Sequence, residues 1–246
     1  MTAPPLETSH LLSLSEDTAG VHPIDAALRI LGSAFPLRDA AELARLPLGA
    51  RDVLLLGVRA ATFGDRLEAR ECCPACSMDI EVGLQCNTLA VQGGDLPPEQ
   101  WSLAVDGYDL ELRPLDSMDA AAAAWTGDEA TARDMLLQRA LIAASRDGQS
   151  MTIDELPASV IDAAVVSLSA HDPGSEIVLA FRCPQCKARW TNVLDIASFV
   201  TSEVAARGQR LMADVDALAR AYGWSEAEIL RLGEGRRAAY VAMVQG

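Results

Sequence analysis

Residues 73–76 read Cys-Pro-Ala-Cys, and residues 183–186 read Cys-Pro-Gln-Cys. A Cys-x-x-Cys turn places two sulfur atoms on one side of the chain, at a spacing that suits tetrahedral zinc. Two such turns supply four thiolates, which is enough to fill the coordination sphere. We therefore predict one structural Zn²⁺ site, and its four ligands are Cys73, Cys76, Cys183 and Cys186.

The two turns also match in the residues around the cysteines. Aligning Cys73 with Cys183 also aligns apolar positions before and after the turns, namely Leu67 with Ile177, Ala69 with Leu179, Ile80 with Trp190 and Leu84 with Leu194. Each turn is therefore predicted to join two strands as a zinc-knuckle hairpin, the first at 65–86 and the second at 175–195. Together they would form a zinc ribbon that is split by the 106 residues of 77–182.

Other interpretations of the cysteines stay open, namely redox pairs, reduced buried thiols or a different ligand set. Redox Cys-x-x-Cys motifs lie where a strand enters a helix, whereas these turns lead into strand-like segments. Cys72 and Cys86 lie outside the two turns, and both are predicted to be buried small hydrophobic residues. A metal with four thiolate ligands has no open position for water or substrate, so the site is expected to stabilise the fold.

Composition indicates a globular chain. Half of the 246 residues are hydrophobic and 22 % are charged. The 35 acidic and 20 basic residues leave a net charge of −15, and Lys187 is the sole lysine. Such a charge disfavours binding to nucleic acid or to an anionic membrane. The opening residues show no export signal and no apolar stretch is long enough to span a bilayer, so we expect the chain to begin in a cytoplasm, where cysteines stay reduced.

The N-terminal part is predicted to be an arm followed by helices. Residues 1–20 are polar and are expected to form an arm that is either flexible or docked on a partner. Helices are predicted in 21–64, from Pro23 to about Gly32, over 37–46 and over 48–63. In the last of these, one stripe recurs at steps of three and four residues and contains Leu48, Asp52, Leu55, Leu56, Arg59 and Phe63.

The inserted segment, 87–174, is predicted to contain a loop at 93–98, a β-hairpin and helices. The hairpin runs from Trp101 to Leu112 around Asp106-Gly107, a pair that favours a two-residue turn. Its predicted register pairs Val105 with Tyr108, Leu103 with Leu110, Trp101 with Leu112, Ser102 with Glu111 and Ala104 with Asp109. Helices are expected over 117–146, with a break near Gly127, and over 157–170.

The C-terminal segment, 196–246, is predicted to be helical. A long amphipathic helix should cover 196–221 and pack its apolar stripe on the core. Ser225 and Glu228 have the spacing of a capping box, which marks the start of the next helix. Arg236 and Arg237 fit either a solvated helix face or a contact with an acidic partner. The whole pattern predicts an α+β fold with a mostly helical body.

Nothing in the sequence indicates an enzyme. The three histidines, His10, His22 and His171, lie in no recognisable catalytic pattern, and no phosphate-binding or dinucleotide-binding glycine motif occurs. We therefore expect a protein without catalytic residues and without a small-molecule substrate.

Two stretches resemble a known family. One is 48–64, which reads Leu-Gly-Ala-Arg-Asp-Val-Leu-Leu-Leu-Gly-Val-Arg-Ala-Ala-Thr-Phe-Gly and leads into the first Cys hairpin. The other is 222–230, Tyr-Gly-Trp-Ser-Glu-Ala-Glu-Ile-Leu, followed by Arg-Arg-Ala-Ala-Tyr at 236–240. Together with the paired Cys-Pro-x-Cys turns, these stretches resemble the T4-type phage baseplate family over most of 23–245. Residues 1–20 lie outside the resemblance.

The resemblance implies a structural or assembly role in the baseplate or hub of a contractile phage tail or of a phage-tail-like injection particle. Its partners would be other baseplate or tail-hub proteins. The protein would be found in the bacterial cytoplasm during assembly, or as a component of the tail or tail-like particle. The alternative function is a zinc-ribbon adaptor or regulatory protein unrelated to phage tails.

Overall fold

The computed structural model describes residues 3–92 and 95–245. Within these residues the chain forms eleven α-helices, which are α1 (Thr8–Asp17), α2 (Pro23–Ala34), α3 (Ala40–Ala44), α4 (Leu48–Phe63), α5 (Cys86–Gln92), α6 (Ser117–Ala124), α7 (Glu129–Ala140), α8 (Ala158–His171), α9 (Ile196–Tyr222), α10 (Glu226–Leu230) and α11 (Glu234–Gln245). The same ranges form eight strands, which are β1 (Arg66–Cys72), β2 (Asp79–Gln85), β3 (Trp101–Val105), β4 (Tyr108–Leu112), β5 (Leu141–Arg146), β6 (Gln149–Ser150), β7 (Ile177–Arg182) and β8 (Arg189–Leu194).

The predicted α+β class with a mostly helical body is confirmed. About 55 % of the chain is helical, and the strands form small antiparallel sheets. β1–β2 and β7–β8 are separate two-stranded sheets, whereas β3, β4, β5 and β6 form one four-stranded sheet in that order. In the described ranges, no helix has both the length and the apolar character that a membrane crossing requires.

The main core forms where α9 packs against α1, α2 and α4. The predicted amphipathic helix is confirmed, since its apolar stripe is buried at Val200, Val204, Leu211 and Leu218. Asp195 caps its first turn by accepting the Ser198 N–H at 3.0 Å. Opposite this stripe, Leu55 of α4 and Ile30 of α2 are fully buried. The core therefore consists of aliphatic side chains from helices at both ends of the chain.

Part of the predicted N-terminal arm is a helix packed on the main core. Residues 8–17 form α1, which packs on α9 and buries three leucines, Leu11, Leu12 and Leu14. The two helices approach closely at Gly208, where a Cβ atom would collide with the side chain of Ser15. The prediction was wrong because α1 is stable only against α9, a contact that polar composition does not reveal. Residues 1 and 2 lie outside the described part of the chain.

The inserted sheet confirms the predicted hairpin. β3 and β4 pair in the predicted register, and Asp106 and Gly107 have φ angles of 52° and 80°, as a type I′ turn requires. One face of the sheet packs against α8 around a second, smaller core, formed mainly by Tyr108, Leu110, Leu112, Ala144, Val160 and Ala164. This segment therefore has a hydrophobic core of its own.

The helix predicted over 117–146 is wrong at its C-terminal end. α6 and α7 are separated around Gly127, as expected, but residues 141–146 form β5 and pair with β4. The apolar run at 141–144 has no clear periodicity, and such a run fits a buried strand as well as a helix. The helix predicted over 37–46 is also shorter, since α3 covers only Ala40–Ala44.

The start of the inserted segment belongs to the main core. α5 packs on α4, and Leu89 is buried there at 3 % exposure. Within the loop predicted at 93–98, residues 95–98 contain neither helix nor strand, while Gly93 and Gly94 lie outside the described residues. The smaller core therefore begins with β3 rather than at residue 87.

The C-terminal helices pack back on α9. The predicted capping box is confirmed, because Ser225 and Glu228 bond reciprocally at the start of α10. Arg237 is only 2 % exposed, and its Nε donates to Asp214 of α9 at 3.0 Å. The solvated helix face predicted for Arg237 is therefore wrong, because its side chain is buried against Asp214 of the same chain. Arg236 is exposed, and Gly246 lies outside the described residues.

Candidate metal centre

Each Cys turn has the same backbone bonds. In the first turn, the Cys73 N–H donates to the Met78 carbonyl at 2.9 Å, and the Ser77 N–H donates to the Cys73 carbonyl at 2.8 Å. The second turn makes the corresponding bonds between its equivalent residues at 2.9 and 3.1 Å. Ser77 and Lys187 each follow the second cysteine of a turn, and both have left-handed backbones, with φ of 57° and 64°. The chain therefore builds one local structure twice.

The strands that flank the turns pair in the same register. Leu67 lies opposite Leu84 in the first hairpin, and Ile177 lies opposite Leu194 in the second. When Cys73 is aligned with Cys183, every further pair of β7–β8 also matches a pair of β1–β2. The predicted correspondence between the two hairpins is confirmed at the level of backbone pairing.

The hairpins bring the four predicted ligands together. The Sγ atoms of Cys73 and Cys186 are 3.6 Å apart, as are those of Cys76 and Cys183. All four Sγ atoms lie within 4.8 Å of one another. A disulfide needs about 2.05 Å, so all four are free thiols. A tetrahedral ion with Zn–S bonds of about 2.3 Å would hold its sulfurs about 3.8 Å apart, which these distances fit closely.

The thiols of the cluster differ in acidity. The Cys186 N–H donates to Cys183 Sγ at 3.5 Å, and this bond outweighs burial and lowers the pKa of Cys183 to about 6. For Cys76, the Met78 N–H lowers the pKa, but burial and the neighbouring thiols together raise it to about 12. The backbone N–H of Cys186 therefore favours the thiolate form of Cys183, and thiolate is the form that binds metal.

The two cysteines outside the turns differ from each other. Cys86 is 1 % exposed, as predicted, and burial raises the pKa of its thiol, while nearby Arg59 lowers it. Cys72 is exposed, so its predicted burial is wrong. Alternation along β1 places Cys72 on the outer face with Glu68 and Arg70, away from the core.

Arg59 anchors the start of the first hairpin, a role that the sequence analysis missed. Its guanidinium pairs with Glu203 of α9 at 2.7 and 2.8 Å and donates to the carbonyls of Gly64 and Arg66. The hydrogen bond to Glu203 raises the pKa of Arg59, against the effect of burial. The signal was present in the sequence, because an arginine on the apolar stripe of a helix needs buried acceptors.

Asp172 anchors the start of the second hairpin to α4. Its Oδ2 accepts the Gly49 N–H at 3.1 Å, and the residue is 5 % exposed. Burial raises the pKa of Asp172, although the Gly49 N–H and Arg51 partly offset this effect. A short 3-10 helix, Pro173–Ser175, then leads into β7. The helix predicted over 157–170 ends just before this residue, and no contact of Asp172 was predicted.

Two of the histidines have structural contacts. The ring of His171 stacks on Trp101 with centroids 4.2 Å apart, and its Nδ1 lies 2.8 Å from the Ser167 carbonyl oxygen. His22 Nδ1 accepts the Ile24 N–H at the start of α2. Both contacts secure the ends of helices.

Comparison with known proteins identifies a family. A family model described as T4 bacteriophage base plate protein matches residues 7–201. The match begins inside the stretch that was predicted to lie outside the resemblance, and it ends before the 222–240 stretch on which the resemblance partly rested. No curated protein and no solved structure matches the chain.

Proposed function

Because the chain belongs to the T4 bacteriophage base plate protein family, we propose that it is a structural or assembly protein of a contractile phage-tail-like baseplate or hub. The observation that carries this proposal is the family match, which covers both Cys hairpins, the inserted sheet and the helices from α1 to α8, and ends within the first two turns of α9. On this proposal the protein works in the bacterial cytoplasm during assembly or as a part of the finished tail, and its partners are other baseplate or hub proteins.

We further propose that Cys73, Cys76, Cys183 and Cys186 hold one structural Zn²⁺, as in a split zinc ribbon. The spacing of their sulfurs supports this assignment, as does the repetition of one turn geometry in both hairpins. The bound ion would cross-link the two ends of the long segment 77–182 that separates the turns. The hairpins themselves bury few large side chains, and the buried apolar ones are Leu67 and Ile177. A metal is therefore well placed to supply their missing stability.

The proposed role is non-enzymatic. Four thiolates would close the coordination sphere, so the ion would have no free position at which to activate water or substrate. The net charge of −15 supports protein partners over nucleic acid or an anionic membrane. On this proposal, the molecule contributes a rigid shape and specific surfaces to the baseplate.

Gene deletion in a bacterium that produces sheathed particles tests the proposed function. We expect the deletion to abolish complete particles, and the wild-type gene to restore them. Cys183→Ser should fail to restore them, whereas Cys72→Ser, a matched change outside the sulfur cluster, should succeed. Cosedimentation of the chain with the particles would indicate a built-in component, and its presence only in assembling lysates would indicate an assembly factor. Normal particles in the deletion strain would refute the proposal.

A further inference from the structure

The second hairpin exposes an apolar pair on its outer face, which is the side of β7–β8 turned away from the main core. Val178 and Val193 lie directly opposite each other and are 54 % and 50 % exposed. Ala180 and Thr191 form the next pair on this face, and both are exposed. Adjacent exposed valines on a sheet make an apolar surface that nothing in the described chain covers.

The same face ends in a basic group. Arg182 and Arg189 form its third pair, and both are exposed. Like charges directly opposite each other destabilise a sheet. Neither arginine takes part in an ion pair among the described residues. Lys187 adds a third cation in the adjoining turn. In a chain with a net charge of −15, this local concentration of positive charge needs an explanation.

The first hairpin shows that folding does not require such a face. At the equivalent positions of β1–β2, the pairs are Glu68 with Gly83, Arg70 with Glu81, and Cys72 with Asp79. This face is charged, and it carries exposed ion pairs between Arg66 and Glu68 and between Arg70 and Glu81. Two hairpins of the same backbone thus differ on the side that the fold leaves free. The valines and arginines on the outer face of the second hairpin are therefore not required for folding, and they indicate another role.

We propose that the outer face of β7–β8 is a docking surface for an acidic partner protein that presents carboxylates beside aliphatic side chains. The valine pair would be buried under the aliphatic groups, and the arginines would bind the carboxylates through paired hydrogen bonds. The proposal rests on the proposed function only in naming this partner as a neighbouring baseplate or hub protein.

The charge pattern favours this occupant over two others. A second copy that docked symmetrically through the same face would bring the two sets of Arg182, Lys187 and Arg189 together, which is repulsive. A nucleic acid would gain nothing from the exposed valines, and the charge of −15 would repel it.

Paired variants in the full-length chain test the proposal, with yield and protein content of sedimented sheathed particles as the readout. Arg182→Glu with Arg189→Glu should reduce incorporation or particle yield by about tenfold or more, since reversed charges then face carboxylates. Val178→Thr with Val193→Thr keeps strand-forming side chains and should reduce it less. The matched control, Glu68→Lys with Glu81→Lys on the first hairpin, should stay near the wild type. Unchanged zinc content and melting temperature must show that each variant folds.

A photo-crosslinking residue at position 178, with position 68 as its control, identifies the occupant in producing cells. We expect position 178 to crosslink to one acidic protein, in a yield that falls as the salt concentration rises. Carboxylate-to-arginine changes in the crosslinked segment of that protein should restore particle formation to the Arg182→Glu, Arg189→Glu variant. Equal losses in the first-hairpin control, a self-adduct, an adduct with nucleic acid or no adduct would overturn the proposal. If particles form normally without the chain, the proposed function fails, and the adduct from 178 still tests the surface.

Discussion

The two Cys hairpins share a backbone and differ in their outer faces. Both have the same strand register and the same turn bonds at equivalent positions. Their inner faces are both mainly apolar, at positions such as Leu67 and Ile177. Their outer faces are charged in the first hairpin and half apolar, half basic in the second. The sulfur cluster and the core therefore constrain the inner face of each hairpin, whereas the outer face is free to acquire a function.

The hairpins also differ in how each is tied to α4. The first starts beside the guanidinium of Arg59, which bonds to two backbone carbonyls and to Glu203. The second starts after Asp172, which accepts a single backbone N–H from Gly49. We therefore expect the two hairpins to respond equally to changes at the sulfurs and unequally to changes at these anchors.

The largest loss of stability is expected from replacing a cysteine of the sulfur cluster, and it should be the same in either hairpin. Cys73→Ser and Cys183→Ser should each lose about one zinc ion per chain, because structural zinc provides a large part of the folding energy of small sites. The melting temperature should fall by about 10 °C or more, at about 2–4 °C per kcal/mol for a chain of this size. Metal analysis and thermal unfolding measure both quantities.

Amide hydrogen exchange shows which segments of the chain lose stability in these variants, and Cys72→Ser is the control variant. In the two ligand variants, amides of 66–85 and 177–194 should exchange much faster, whereas those of 101–112 should stay protected by the separate core of the inserted sheet. Zinc retained in Cys183→Ser, or absent from the wild-type protein, would show that the cluster is not the proposed site.

A change of intermediate size in the free energy of unfolding is expected at Arg59, which anchors the first hairpin. Arg59→Met should lower the free energy of unfolding by about 2–3 kcal/mol, because two carbonyls and the Glu203 carboxylate lose their donor. Urea unfolding measures the loss. The control is Arg66→Met, whose exposed pair with Glu68 should contribute about 0–1 kcal/mol. Exchange should increase at 64–72 and stay unchanged at 177–182. Equal increases in both hairpins would contradict the assignment of Arg59 to the first.

The smallest change in the free energy of unfolding is expected at Asp172, and this change depends on pH. Burial raises the pKa of Asp172 above its ordinary value of 3.8. The folded state therefore binds this proton more tightly, so the stabilisation is complete below pH 3.8 and is lost as the pH rises through the folded-state pKa. Asp172→Asn keeps an oxygen for the Gly49 N–H without the charge, and at pH 7 it should match or exceed the wild type by about 0–1 kcal/mol.

Urea unfolding across a pH series measures this difference. The stability of the wild type relative to Asp172→Asn should fall as the pH rises, and this comparison cancels the titration of groups that both proteins share. Asp172→Ala is the second control, since it leaves the Gly49 N–H without its acceptor and should cost about 1–3 kcal/mol. A wild type that gains stability relative to Asp172→Asn as the pH rises would show that the carboxylate is held in its charged form instead.

Local chemistry made much of the site predictable. The spacing of Cys73 and Cys76, repeated at Cys183 and Cys186, was sufficient to predict which sulfurs meet. The Asp106-Gly107 pair was likewise sufficient for the turn and register of the inserted hairpin, because both features depend on residues close together in sequence. The anchors were not predicted, since Arg59 and Glu203 are 144 residues apart.

Short stretches of sequence were sufficient to predict the two Cys turns, the four candidate ligands, the capping box at Ser225 and the α+β class. Each follows from short-range spacing or from hydrophobic periodicity, which act within a few residues. Long-range packing, by contrast, makes residues 8–17 a helix with buried leucines and residues 141–146 a strand, and it sets which faces of the two hairpins are exposed. These outcomes depend on contacts between segments far apart in the chain, and such contacts override local preference because burial on a partner segment contributes more free energy than intrinsic propensity.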